Sequence, residues 1–231
     1  MSGDDVLGMT LLTLRVAAVA TAFAIPPAVA VGLWLARRDF RGKALVQAVL
    51  ALPMVLPPVA VGLALLLLLG RRGPLGGVLA AAGLEVAFTW WAAAIAAGVV
   101  GFPLLARACE QAFSEVDPRF EQVARSLGLS AGSTLLRVTI PLARRGILYG
   151  TVLAFTRALG EFGATAVVAG IQPGRTETLA LGLWARVQSG DDAGALVLGA
   201  ASFALALAAL VAAEGWLRRG RASGIASERG A

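Results

Sequence analysis

An all-α membrane protein is the fold class this sequence predicts: five transmembrane helices, amino terminus outside, carboxyl terminus cytoplasmic, and one long cytoplasmic loop built of short helices. Three observations predict it. Apolar residues make up 58% of the 231 and charged residues only 15%, where soluble domains carry about half and about a quarter. The mean hydropathy is +0.80, more apolar surface than a globule of this size can hide from water. The excess is gathered into runs of roughly 20 residues or more, enough at about 1.5 Å rise per residue to cross ~30 Å of hydrocarbon. The third observation is that the basic residues sort by side, as set out below. Residues 1–231 read as one membrane domain.

The first run covers residues 7–36. It follows an acidic start, Asp4-Asp5, and is longer than a signal-peptide core, so it reads as a retained span. Arg15 near its outer end reads as a side chain that snorkels to the headgroups. Pro26-Pro27 interrupts this run, and Pro53, Pro57 and Pro58 interrupt the second, residues 44–69. Each proline removes a backbone donor and crowds the preceding turn, which predicts a kink or a break. Broken backbone in lipid needs protein or a watery cavity beside it; the second span therefore reads either as a packing kink or as the lining of a path.

The third run, 87–107, starts near Trp90 and Trp91, which with Trp216 read as interfacial anchors. The fourth, 146–169, opens on Gly146-xxx-Gly150, a spacing that lets another helix approach closely. It also holds Arg157 and Glu161, four residues apart and so on one helical face. A charge in the membrane costs at least about 2.5 kcal/mol, which predicts that the two pair. Gly160 and Gly163 thin the helix beside them. The fifth run is 194–217, with Glu214 expected to pair with Arg218.

Orientation follows from the loops between these runs. Arg37, Arg38, Arg41 and Lys43, six arginines from Arg107 to Arg145, and Arg218, Arg219, Arg221 and Arg229 fall on one side. Only Arg71, Arg72, Arg175 and Arg186 fall on the other. The crowded side is predicted to be cytoplasmic.

The cytoplasmic loop 108–145 is patterned. Asp117-Pro118 is a helix start, a side-chain acceptor followed by the residue that tolerates the first helical position. Phe120, Val123, Ala124 and Leu127 then share one face, with Glu121, Gln122, Arg125 and Ser126 on the other. Gly128 is a stop signal. Ser130 is placed to cap a second short helix, Ala131 to about Val138, before Pro141 leads back to the membrane. Such a helix pair either lies on headgroups or docks into a soluble partner.

Composition also excludes chemistry. There is one cysteine, Cys109, and no histidine, so zinc sites built on Cys and His, His-ligated haem and a Ser-His-Asp triad all lack parts. No catalytic residue, metal ligand or cofactor is predicted. Gly42-Lys43 lacks the rest of a phosphate-binding loop. The net charge of +6 is accounted for by the sorting across the membrane rather than by nucleic acid.

The run Glu121-Gln-Val-Ala-Arg-Ser-Leu-Gly128, then nine residues, then Val138-Thr-Ile-Pro141 resembles the cytoplasmic motif of ABC importer permeases. Aligned on Gly128, the family's glutamate position holds Gln122, and the carboxylate stands one residue earlier at Glu121. Phe40-Arg-Gly-Lys-Ala, Leu52 to Val59, Ala154 to Ala164 and Pro173 to Leu179 are similar to the molybdate-transport permeases. Sulfate and thiosulfate permeases share a related Arg-Ala-x-Gly-Glu stretch, so the segment around Glu161 alone does not choose the oxyanion.

The resemblance implies a transport subunit without its own ATPase site, in a bacterial plasma membrane. It implies a homodimer working by alternating access with two cytoplasmic ABC ATPase subunits and a periplasmic or extracellular oxyanion-binding protein. The docking residues would then be Asp117, Pro118, Glu121, Gln122, Ala124, Arg125, Gly128 and Pro141. A path or gate would involve Pro53, Pro57, Pro58, Thr156, Arg157, Gly160, Glu161 and Gly163, with Thr156, Arg157 and Thr165 as donors to an oxyanion. Sulfate, thiosulfate or tungstate is the alternative cargo. A channel, a secondary transporter or an intramembrane hydrolase is the alternative class.

Overall fold

The structure is a computed structural model that describes residues 3–228, the side chains of residues 213 and 216–228 excepted. Its regular elements are all helical. In chain order they are α1 (Gly3–Arg37), α2 (Lys43–Val55), α3 (Pro58–Leu69), α4 (Pro74–Ala81), α5 (Trp90–Ser114) and α6 (Pro118–Ser126). Then follow α7 (Ala131–Thr134), a π-helical turn (Leu135–Thr139), α8 (Ile140–Leu159), α9 (Gly163–Val168), α10 (Leu179–Ser189) and α11 (Asp192–Glu228).

Helix α5 is the centre of the bundle, packed against α1 on one side and α8 on another. Small residues make this possible. Ala92, Ala93, Ala94, Ala96 and Ala97 are all buried, and without large side chains the backbones approach closely. Gly98 faces Ala20, and Gly32 faces Cys109, so α1 and α5 run in the same direction. Gly101 faces Ala154, while Gly146 and Gly150 seat on Ala112 and Ala108, so α8 runs against them. The close approach expected at Gly146 and Gly150 is therefore present. Cys109 is buried in this packing.

Helices α1 and α5 and the Asp192–Ala212 part of α11 are each long and apolar enough to cross a membrane. The pair α2–α3 qualifies together, bent by 104°. The bend falls where the prolines predict a break: Leu56 and Pro57 are extended, the conformation favoured before a proline, and Pro58 opens α3 at its first position. Pro53 sits inside α2 without ending it.

Several boundaries differ from the sequence reading. Pro26-Pro27 does not break α1, which is continuous over 35 residues. Ala24 and Ala28, on either side, are buried against Leu105 and Ala106 of α5, and this packing holds the turn despite two missing donors. Helix α5 continues beyond 107 to Ser114. Pro141 does not re-start the chain either, because helix is continuous from Ala131 to Leu159. The π turn lies immediately before Pro141, with the Ile140 N–H reaching back five residues to the Leu135 carbonyl, and such a turn absorbs an irregular bonding position. The fourth run is split at residues 160–162 into α8 and α9. The stretches 70–86 and 170–193, read as loops, contain α4 and α10. Leu179 and Leu181 of α10 are buried, and the Leu179 N–H donates to Thr13 of α1 at 2.9 Å. The side chains of Trp216 and Arg218 lie outside the described residues.

Candidate coupling surface and gate

Helix α6 is built as its caps predict. The Asp117 carboxylate accepts from the Arg119 N–H at 2.8 Å, with Pro118 at the first helical position. At the other end Gly128 has φ 90°. The Gly128 N–H reaches the Arg125 carbonyl at 3.0 Å and the Leu129 N–H reaches Ala124 at 3.1 Å, the paired bonds of a glycine-terminated helix. Ser130 caps α7 by accepting from the Ser133 N–H at 3.3 Å.

The face that α6 turns to the bundle is not its apolar one. Phe120, Val123 and Leu127 are exposed by 56%, 58% and 76%. Ala124 of the expected apolar stripe is buried, beside the half-buried Glu121. Glu121 Oε1 accepts from Arg37 Nη2 at 2.7 Å and from Arg37 Nε at 3.2 Å. It also accepts from the Thr139 hydroxyl at 3.0 Å. Arg37 Nη2 additionally donates to the Val116 carbonyl at 3.3 Å. One carboxylate thus ties α6 to the end of α1 and to the π turn that leads into α8. Gln122 and Arg125 are exposed; Pro141 is exposed too, in the first turn of α8. In the sequence Arg37 counts only toward orientation, and neither it nor Thr139 has a place in the expected docking set.

The residues expected at a path or gate are only partly brought together. Arg157 Nη1 and Glu161 Oε2 pair at 2.9 Å, as their spacing predicts. Glu161 Oε1 also accepts from the Ala164 N–H at 2.9 Å, so the same carboxyl starts α9 after the break. Gly163 seats against Pro58, and Gly62 against Ala164; α3 and α9 cross there in close contact. Pro57 lies at the adjoining bend. Pro53 stands apart, lining a cavity between α1, α2 and α5. Gly160 faces open space and marks the end of α8 rather than a helix contact. The Thr156 hydroxyl is turned back onto the Val152 and Leu153 carbonyls, both at 3.0 Å. Thr165 is buried, and its hydroxyl has no hydrogen-bond partner.

A family model described as "Binding-protein-dependent transport system inner membrane component" matches residues 28–221. The chain belongs to this family. Within this inner membrane component family it is 44% identical over 211 residues to the molybdenum transport system permease protein ModB of Escherichia coli, covering 90% of this chain and 92% of that protein. It is 40% identical to ModB of Haemophilus influenzae, over 77% of this chain and 78% of that one. The sulfate transport system permease protein CysW of Synechococcus elongatus is 41% identical over 64% of this chain and 51% of its own length. Among solved structures, the MetNI methionine ABC transporter in an inward-facing conformation superposes with a TM-score of 0.70 at 18% identity, covering 95% of this chain and 99% of that chain. A bacterial ABC transporter that imports alginate gives 0.71 at 17% identity, covering 95% and 80%. The chain shares the fold of these ABC transporter structures and belongs to a family of transport-system membrane components.

Proposed function

We propose that this chain is the permease subunit of an ATP-driven molybdate importer, acting as a homodimer with two cytoplasmic ATPase subunits and an oxyanion-binding protein outside. The cargo rests on the 44% identity with ModB across nearly the whole of both chains. The coupling rests on one observation, the outward-facing apolar row Phe120, Val123 and Leu127 on a helix tied to α1 and α8 by Glu121. An apolar row turned away from its own bundle is a docking surface for another protein.

Five spans serve this role: α1, the bent pair α2–α3, α5, α8 with α9, and α11. The amino terminus is outside, which puts α6 and α7 on the same side as the ATPases. ATP binding draws the two ATPases together, their clefts carry the α6 knobs, and the Glu121 clasp passes that movement to α1 and α8. The spans then rock between outward-open and inward-open states around the Arg157–Glu161 segment.

The test is uptake into proteoliposomes holding the chain, its ATPase and its binding protein. ATP-dependent accumulation of molybdate, with tungstate and sulfate added as competitors, is the expected result. Accumulation of sulfate in preference to molybdate would move the assignment to the sulfate permeases, a reading that the CysW similarity favours. Accumulation without ATP would remove the ATP-driven reading altogether.

A further inference from the structure

A cavity of about 500 Å³ opens between α1, α2 and α5, with Phe23, Val49, Pro53, Trp91, Ile95 and Phe102 in its wall and no charged side chain. Phe23, Val49 and Trp91 are exposed at its mouth. Along α5 it reaches from Trp91 to Phe102, about 16 Å at 1.5 Å per residue. That is close to half of a hydrocarbon layer of ~30 Å, the depth of one leaflet.

A cation stands at the rim. Arg15, Val19 and Phe23 recur every four residues on one face of α1, so Arg15 lies in line with the cavity, one turn beyond Val19. Its guanidinium carbon sits 3.8 Å from the centroid of the Trp90 ring. Trp90 stacks on Trp91 at 4.1 Å, and Trp91 meets Phe23 edge-on at 6.4 Å. Arg15 is exposed and has no carboxylate partner among the described residues. A guanidinium seated on an indole keeps its outer edge free for a phosphate oxygen.

We propose that this groove binds one anionic phospholipid, its phosphodiester on Arg15 and one acyl chain along the cavity. The headgroup charge complements a cation with no carboxylate partner among the described residues, and the apolar depth matches one leaflet. The occupant has a structural consequence. Helix α2 buries none of its side chains and holds α5 through a hydrogen bond from Gln47 to Glu110 at 2.7 Å, so the acyl chain fills the space between α2 and the α1–α5 pair. The proposal requires only that the chain sits in a bilayer and is independent of its cargo.

Native mass spectrometry of the full chain in its purified assembly, released from vesicles of equal phosphatidylglycerol and phosphatidylcholine, reads the retained lipid. The unmodified protein is expected to retain phosphatidylglycerol over phosphatidylcholine by about fivefold, the contribution of one arginine near an anionic surface. Arg15→Gln is expected to keep lipid but bring the ratio to parity. Val49→Trp, which fills the cavity from the exposed side of α2, is expected to shed the lipid while the assembly stays intact. Equal retention of both lipids by the unmodified protein, or an unchanged ratio in Arg15→Gln, overturns the headgroup site. Undiminished lipid in Val49→Trp overturns the acyl site. A disulfide between two copies carrying Val49→Cys assigns the cavity to a second copy and overturns both.

Discussion

Arg37, the last residue of α1, donates two hydrogen bonds to a single oxygen of Glu121 on α6, 84 residues along the chain. The Thr139 hydroxyl donates to that same oxygen. Both charged side chains are only about a fifth exposed, 22% and 18%, so the contact is partly withdrawn from solvent screening. Loss of one partner from such a contact costs about 1–3 kcal/mol. Glu121→Gln is therefore expected to leave ATPase binding in place while lowering the uptake obtained per ATP hydrolysed. The exchange Arg37→Glu with Glu121→Arg is expected to recover part of that coupling, measured as uptake and phosphate release on the same proteoliposomes.

Docking itself is expected to reside on the opposite face of α6. Phe120, Val123 and Leu127 bury little against the chain's own bundle, so their replacement leaves the fold almost unchanged. Covering one such side chain in an interface contributes about 1.5–3 kcal/mol. Leu127→Asp should thus weaken ATPase association by roughly tenfold to a hundredfold, read by pull-down from detergent, with an unaltered melting temperature of the isolated chain.

These two faces show what the sequence makes legible and what it does not. Asp117, Ser130 and Gly128 act within a few residues of themselves, and their caps are where the local pattern puts them. Pro57 and Pro58 likewise act on their own backbone, and the break between α2 and α3 follows. Periodicity also marks the apolar row of α6, but period alone does not say whether a row faces its own bundle or a partner. Here it faces out, because Glu121 on the other side finds Arg37, a contact that no local spacing encodes. Pro26 and Pro27 are the converse case: their local preference is to interrupt helix, and packing of Ala24 and Ala28 on α5 overrides it. Helix α10 escapes the hydropathy reading because it is short, 11 residues, and is held by a bond to Thr13 on a distant segment.

Gly128 offers a clean test of the knob's rigidity. Its φ of 90° lies in the left-handed region, and a Cβ there would meet nothing within 4 Å. The cost of Gly128→Ala is then backbone strain alone, about 1 kcal/mol. Gly128→Asn, which visits that region more readily, is expected to fall between the two. The ordering Gly, Asn, Ala should appear both in protection of α6 from proteolysis and in ATPase coupling; an Ala variant that matches the Gly parent would mean the α6–α7 turn is not held.

Where α3 crosses α9, a methyl group is predicted to be too much. A Cβ on Gly62 would lie 2.6 Å from the Ala164 carbonyl oxygen, a backbone atom that cannot swing aside. Overpacking of this kind costs about 1–3 kcal/mol. Gly62→Ala is expected to lower the melting temperature of the purified protein, whereas Gly199→Ala, with open space around it, should not.

The Arg157–Glu161 pair can be asked whether it is a bracket or a gate. Glu161 has its side chain almost fully buried, 2% exposed against 36% for Arg157, and it also holds the Ala164 N–H. Removing it alone leaves a partly exposed guanidinium and a backbone donor without their partner, a loss of about 1–3 kcal/mol, so Glu161→Ala is expected to lower the yield of assembled protein. The double variant Arg157→Met with Glu161→Gln removes both charges but keeps an amide oxygen for the Ala164 N–H. This variant is expected to reach the membrane and bind its ATPase at close to normal levels. If the pair shapes the path, its uptake falls while ATP hydrolysis continues, because the cation on the half-exposed side is gone. If the pair is only a bracket around the break between α8 and α9, uptake in the double variant stays at the parent level, and the gate must be sought elsewhere along the α3–α9 crossing.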